Sequence, residues 1–141
     1  MKLITRDTDY AIRALCYIAK KKKKIISVKE LTTALRIPRP FLRKILQMLN
    51  NGKVLKSYKG KGGGFTLSRP PGKIFMIDLI RIFQGPVKLS EHIFKKGICP
   101  RIGTCILKKK LDVIEECVTS KLKAITIASL CKELCLHSKP R

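Results

Sequence analysis

Two stretches near the start of the chain place apolar side chains at the three- and four-residue spacing of an amphipathic helix. The first stretch covers about residues 5–20, and a run of five lysines, residues 20–24, follows it. The second stretch begins at Ser27, which has the capping-box spacing from Glu30, and it ends near Leu35. We therefore predict two helices, each of which buries one face.

A third amphipathic stretch follows after a short interruption. The segment 36–40 contains two prolines and cannot continue the second helix, whereas Pro40 suits the first position of a new one. The apolar stripe of this third helix consists of Phe41, Leu42, Ile45, Leu46 and Leu49, and Asn50-Asn51-Gly52 ends it. The polar residues Arg39, Arg43, Lys44 and Gln47 lie off that stripe. Two short helices with basic residues near the start of the second predict a helix-turn-helix, whose second helix enters the major groove of DNA.

Two short strands are predicted directly after the third helix. They cover residues 54–58 and 65–67 and flank the loop Lys59-Gly60-Lys61-Gly62-Gly63-Gly64. Glycines permit positive backbone angles and a close approach to phosphates, and Lys59 and Lys61 supply positive charge. Taken alone, the glycines suit a flexible hairpin tip equally well. Their position after a helix-turn-helix favours a DNA-binding wing.

The second half of the chain contains patterns for further helices. One is predicted around residues 77–83 and is stopped by Gly85-Pro86. A long helix from Lys108 to about Ala124 has an apolar stripe of Leu107, Leu111, Ile114, Val118 and Leu122. A short helix begins at Thr126 and ends near Leu130, and we expect a frayed tail after Leu134. The long stripe suits a partner helix in a homodimer, with folding back onto its own domain as the alternative.

These elements define a fold class that is mainly α with a small β-hairpin wing. It is a winged helix-turn-helix followed by a long C-terminal dimerisation helix. We divide the chain into a DNA-binding domain (1–85), a cysteine-bearing loop (86–106) and a dimerisation region with a short terminal helix and tail (107–141).

The charge of the chain adds a reason to expect a polyanionic partner. The formal net charge is +23, and residues 1–75 contain 19 Lys and Arg against 3 Asp and Glu. The positive charge is therefore concentrated in the half that contains the helix-turn-helix, which favours double-stranded DNA as the partner. A genome-wide bias toward lysine explains part of the total.

Enzymatic and membrane functions find no support in the sequence. The chain contains no H-E-x-x-H, G-x-S-x-G or C-x-x-C pattern, and its two histidines leave few groups for acid–base catalysis. It has no apolar run of membrane-spanning length and no signal-peptide pattern. We expect a cytoplasmic protein that is not an enzyme and has no membrane partner.

Several of these segments together resemble the Rrf family of winged-helix transcriptional regulators. The resemblance rests on Asp9-Tyr10-Ala11-Ile12-Arg13-Ala14-Leu15, on Ser27-Val28-Lys29-Glu30-Leu31, and above all on Gly60-Lys61-Gly62-Gly63-Gly64-Phe65 with Leu67, Arg69 and Pro70. It implies a homodimer that binds a palindromic operator and represses or activates transcription. The third helix would lie in the major groove with the wing beside it.

The resemblance also implies which residues contact DNA. They are Pro38, Arg39, Pro40, Phe41, Arg43 and Lys44 on the third helix and Lys59 in the wing. We add Lys61 to this set because it is a second positive charge in the wing loop. Phe41 has packing against the protein as its alternative. Arg43 stands where related proteins often have an acidic residue. Because arginine pairs with guanine and carboxylates accept from cytosine, we expect a changed base preference.

Six cysteines leave the mode of control open. In a reducing compartment they suit a metal site, a cluster, redox chemistry or core packing better than a disulfide framework. Cys16 and Cys117 are predicted to pack within helices. Cys131, Cys135 and His137 match no closed zinc pattern.

The resemblance to the Rrf family implies an iron–sulfur cluster, of the 2Fe-2S rather than the 4Fe-4S type. Cys99 and Cys105 match two of the family's ligands, Leu111 stands where a third cysteine is expected, and Asp9 is the candidate replacement from helix 1 of a partner subunit. The sensed signal would then be iron–sulfur, redox or nitric oxide status. The alternative is a cluster-free regulator controlled by a metabolic enzyme or another protein partner. A third hypothesis is a protein that binds nucleic acid through charge alone, without sequence specificity.

Overall fold

The computed structural model of the protein describes residues 2–21, 24–89 and 102–137. Within these ranges the helices are α1 (Arg6–Lys20), α2 (Val28–Leu35), α3 (Arg39–Asn51), α4 (Met76–Gln84), α5 (Ile106–Ala124) and α6 (Ile127–His137). Strands β1 (Leu55–Tyr58) and β2 (Gly64–Leu67) form an antiparallel hairpin after α3. The predicted fold class, mainly α with a small hairpin wing and C-terminal helices, is confirmed.

The first two helices begin where polar side chains satisfy free backbone N–H groups. The side chain of Thr5 accepts from the N–H of Thr8, and the side chain of Ser27 accepts from the N–H of Glu30 at 3.1 Å. Helix α2 ends at Arg36, which adopts a left-handed conformation with φ of 54°. This single residue turns the chain sharply enough for α3 to begin at Arg39, so Pro40 is its second residue and not its first.

The hairpin is fixed to the helices by a third extended segment that the sequence patterns did not indicate. Phe65 pairs with Ser57 in the hairpin and with Ile26 on its other side. The N–H of Ile26 donates to Phe65 O at 2.9 Å, and the N–H of Phe65 donates to Ile26 O at 2.8 Å. The wing is therefore anchored directly before α2.

One hydrophobic core joins the helix-turn-helix to the C-terminal helices. Leu15 of α1, Leu31 of α2, Leu46 of α3 and Leu79 of α4 are each fully buried, with 0% of their surface exposed. Ile127 at the start of α6 is also 0% exposed and belongs to the same core. The C-terminal helices thus contribute to the packing of the winged domain.

Helix α6 is longer than the short terminal helix that we predicted. It begins as expected, because Thr126 and Ser129 exchange capping hydrogen bonds, each 3.1 Å long, between side chain and backbone. It continues to His137 and does not end at Leu130. No glycine or proline occurs between these two positions to stop it.

Helix α5 is covered along only part of its length. Leu122 is 5% exposed and Val118 packs against the core, whereas Leu107 is 58% and Ile114 is 50% exposed. The end of the predicted stripe thus folds onto its own domain, whereas its beginning is exposed in the part of the chain that the structure describes. No helix in the described ranges has both the length and the apolar character needed to cross a membrane.

Candidate nucleic-acid interface

Helix α3 presents one apolar and one basic face. Leu42, Ile45, Leu46 and Leu49 are buried in the core, which fixes the rotation of the helix. Arg39, Arg43, Lys44 and Gln47 are exposed, as predicted. The first turn of α3 contains no acidic residue and no side-chain cap, so the partial positive charge of the helix start is available to an anion.

Phe41 does not belong to the buried stripe of α3, so its predicted place in that stripe is wrong, whereas its predicted DNA contact stays a prediction. It is 56% exposed, next to the exposed residues Pro38, Arg39 and Pro40. Leu42 in the same turn is 0% exposed, so the reason is the direction of the side chain: neighbouring helix residues point about 100° apart, and Phe41 lies beside the stripe that Leu42 begins. The exposed ring is a surface that an apolar group such as a thymine methyl can contact.

The wing tip is exposed and shaped by its glycines. Gly60 and Gly62 have φ angles of 91° and 71°, which glycine adopts without strain, and both Lys59 and Lys61 are exposed beside them. Gly64 has a different role, because a Cβ atom there would collide with the Ile26 carbonyl group. The glycine run therefore makes the turn and also permits the bridge that anchors the wing.

A cleft of about 540 Å³ separates α3 from the wing and brings their polar side chains together. Its lining residues are Val28, Arg43, Gln47, Asn50, Asn51, Ser57, Tyr58, Lys59 and Phe65. Arg43 from α3 and Lys59 from the wing thus border the same cleft, although they are distant in sequence. The sequence patterns did not assign Gln47 or Asn51 to this site, but both follow Arg43 at the four-residue spacing of one helix face.

An ion pair connects the recognition surface to α1. The ammonium Nζ of Lys44 lies 3.7 Å from Oδ2 of Asp7, and both side chains are partly exposed. The sequence patterns did not indicate this pair, because its residues lie on different helices. The negative charge of Asp7 therefore lies next to the positive charge of Lys44 before any ligand binds.

The predicted cluster ligands are only partly within the described residues. Cys99 lies in residues 90–101, outside the described residues. Cys105 is partly buried and immediately precedes α5, and the Asp9 carboxylate contacts Arg13 at 3.0 Å. Lys108, one turn into α5, donates to Asp112 at 2.6 Å, and this hydrogen bond raises the pKa of Lys108.

The remaining cysteines differ in their surroundings. Cys16 is buried in α1, as predicted, and the thiol of Cys131 lies 3.9 Å from the Cys16 carbonyl oxygen. Cys117 is in a helix, but its side chain is exposed, so the prediction that it packs is wrong for a single chain. In the part of the chain that the structure describes, no three Cys, His, Asp or Glu side chains form a metal-binding group. The described residues of one chain do not fit an iron–sulfur cluster by themselves.

Comparison with known proteins agrees with the fold and the basic surface, which together define a winged helix-turn-helix transcriptional regulator. A model of the Rrf2 family, described as iron-dependent transcriptional regulators, matches residues 4–133. The chain belongs to the Rrf2 family. This match confirms the predicted resemblance. Proteins of this family are transcription factors and not enzymes, so the prediction of a non-enzymatic function is confirmed as well.

Individual relatives cover nearly the whole chain. A protein of Aquifex aeolicus (strain VF5), named as an HTH-type transcriptional regulator, is 32% identical over 131 residues, which are 91% of each chain. The solved structure of IscR from T. potens has a TM-score of 0.74 at 20% identity and covers 100% of this chain and 93% of its own. CymR of B. subtilis, named as a global cysteine regulator, has a TM-score of 0.70 at 23% identity, covering 94% and 98%. At these identities the two structures support the fold.

Proposed function

We propose that a homodimer of this chain binds a palindromic DNA operator and regulates transcription from it. Residues 1–85 form the DNA-binding part in this proposal, with α3 in the major groove and the wing beside it. The observation that carries the proposal is the cleft shared by Arg43 and Lys59. Two basic groups from separate elements on one surface suit a duplex, which offers base edges and phosphates side by side.

The exposed residues of this surface have different roles in the proposal. Arg43 and Arg39 project from the basic face of α3 and suit guanine in the major groove. Lys59 and Lys61 suit phosphates, because they flank a loop whose glycines allow close approach. Lys44 adds charge, Phe41 contacts apolar base edges, and Pro38 and Pro40 shape the exposed start of the helix.

The dimer is supported by the outer surface of α5. Ile106, Leu107, Val113 and Ile114 are between 50% and 73% exposed within one chain. They recur one heptad apart, so they lie on one side of the helix. Apolar side chains grouped in this way are typical of a surface that another protein covers, and two-fold symmetry matches a palindromic site.

Control of the protein is proposed to act through residues 86–106. Both ends of this segment are attached to α5, because Glu115 accepts from the Lys88 ammonium at 3.3 Å and from the Leu89 N–H at 3.1 Å, and Cys105 immediately precedes the helix. A chemical change at Cys99 or Cys105 therefore acts on the helix assigned to the dimer. Such a change alters DNA affinity if the two states bind DNA differently.

Cys105→Ser tests this control, and Cys117→Ser, which changes an exposed cysteine within α5, is the comparison variant. We expect that DNA affinity of the wild type changes on treatment with iron and sulfide, peroxide or nitric oxide, and that only Cys105→Ser loses the response. Anaerobic purification with visible absorbance and with iron and sulfide analysis then separates a cluster from thiol chemistry. A response that survives in Cys105→Ser contradicts the proposal.

DNA binding itself is tested by selecting duplexes from a random pool with the purified full chain. We expect a palindromic consensus that binds at least about 10³-fold more tightly than a scrambled duplex of the same composition. The preference should persist as salt rises, because base contacts do not depend on counterion release. Equal affinity for selected and scrambled duplexes across the salt series would contradict sequence-specific binding and show that the protein binds DNA through charge alone.

A further inference from the structure

Residues 1–75 contain three acidic side chains, and each has a partner in the structure. Glu30 accepts a hydrogen bond from the Tyr17 hydroxyl group at 3.0 Å, and Asp9 pairs with Arg13 on the same helix at 3.0 Å. Asp7 differs from both, because its partner Lys44 lies on α3, the helix assigned to the major groove. A carboxylate beside that helix opposes the charge that attracts DNA.

The geometry of this pair allows DNA to compete for Lys44. The side chains of Lys44 and Asp7 are 65% and 41% exposed, and the 3.7 Å separation is within ion-pair range. Exposed pairs of this kind are weak, so the ammonium can leave the carboxylate for a phosphate. Asp7 is in the first turn of α1, where the helix dipole favours a negative charge.

We propose that Asp7 limits the affinity of this protein for DNA of any sequence by holding Lys44 away from phosphates. The inference rests on the proposed function, because it requires α3 to face DNA. While it is paired with the Asp7 carboxylate, Lys44 makes no phosphate contact, so the wild type binds random DNA with one basic side chain fewer. The strongly basic N-terminal half is thereby kept from binding indiscriminately through charge alone.

Asp7→Asn tests the inference, and Asp112→Asn provides the matched control. Asp112 forms a Lys–Asp pair with Lys108 on α5, and its side chain is 43% exposed, close to the value for Asp7. The probe is a random-sequence duplex of about 30 base pairs, titrated from low to moderate salt. We expect Asp7→Asn to bind it about three- to tenfold more tightly at low salt. The slope of log affinity against log salt should steepen by about 0.9, corresponding to one additional phosphate contact.

Two control comparisons decide the outcome. Asp112→Asn should change the affinity much less and leave the salt slope unchanged, and in a Lys44→Ala background the effect of Asp7→Asn should disappear. Equal gains in Asp7→Asn and Asp112→Asn would contradict the inference, because net charge would explain them. Weaker binding by Asp7→Asn would also contradict it, since Asp7 would then orient Lys44 productively. Circular dichroism melting confirms that the variants compared are folded.

Failure of the proposed function has a separate signature. It appears in the wild type as an absence of preference for selected over scrambled duplexes, whatever the Asp7 variants do. If the wild type shows that preference and Asp7→Asn binds the random duplex like the wild type, only the inference about Asp7 fails.

Discussion

The hydroxyl group of Thr8 donates a 2.8 Å hydrogen bond to Oε1 of Gln84, joining the first turn of α1 to the last residue of α4. The same oxygen accepts from the N–H of Thr5 at 3.1 Å, and the Gln84 amide donates to the carbonyl oxygen of Leu3 at 3.2 Å. Gln84 thus holds the N-terminal segment in place and with it the start of α1, which carries Asp7. Thr8 is 0% exposed, so its hydroxyl group has no access to water.

Thr8→Val keeps the shape of this buried side chain and removes its hydroxyl group. We expect the free energy of unfolding to fall by about 1–2 kcal/mol, because Gln84 loses a buried partner. Thr33→Val is the matched control, since the Thr33 hydroxyl group makes only an exposed bond to the Lys29 carbonyl oxygen at 3.0 Å. Urea denaturation measures both variants, and losses of equal size would show that the Thr8–Gln84 bond has no special contribution.

Gly64→Ala should detach the wing from the helices. A Cβ atom at this position would meet the backbone of Ile26 and Ser27, so the two hydrogen bonds between Phe65 and Ile26 cannot both survive. We expect a loss of at least about 2 kcal/mol in unfolding free energy and weaker DNA binding. Gly72→Ala, where a Cβ would meet nothing within 4 Å, should stay within about 0.5 kcal/mol of the wild type. If Gly64→Ala also does so, the bridge does not anchor the wing.

Arg43→Ala and Lys59→Ala should have different effects on DNA binding. Loss of Arg43 removes a base contact, so the preference for selected over scrambled duplexes should fall by about 1–3 kcal/mol. Loss of Lys59 removes a phosphate contact, so affinity for all duplexes should fall alike and the salt slope should decrease by about 1. Competition titrations at several salt concentrations measure both quantities. A uniform loss on all sequences for Arg43→Ala would count against direct base recognition.

Leu107→Glu should convert the proposed dimer to a monomer. The side chain is 58% exposed within one chain, so a glutamate is tolerated there but places charge in the interface between two copies. Leu134→Glu is the control, since Leu134 is 48% exposed on a different helix, α6. Light scattering after size-exclusion chromatography gives the masses. A dimer that persists in Leu107→Glu excludes this face as the interface.

Local patterns in the sequence were sufficient for most of the fold. The capping side chains at Ser27 and Thr126, the turn before α3 and the stop at Gly85 all act within a few residues, so their signals are visible in sequence. One side of the cleft was predictable for the same reason. Helical spacing shows which residues of α3 form the apolar stripe, and Arg43 is not one of them.

The features that sequence reasoning missed depend on contacts between distant residues. The bridge at Ile26, the attachment of Leu89 to Glu115 and the pair between Asp7 and Lys44 each require the packed arrangement of separate elements. The exposure of Phe41 beside the fully buried Leu42 has the same origin, because helical spacing does not show how wide a stripe the neighbouring helices cover. Whether Cys99 approaches Cys105 lies outside the described residues and stays a prediction.

Symmetric binding of a homodimer to its operator is tested by hydroxyl-radical footprinting of the full chain on its selected duplex. We expect two equal protected regions, related by two-fold symmetry and centred about one helical turn of DNA apart or a multiple of it, because each subunit inserts one α3 helix. Protection at the selected site should exceed that on flanking DNA. A single asymmetric region, or protection spread evenly along the duplex, would contradict binding by a symmetric pair of winged helices.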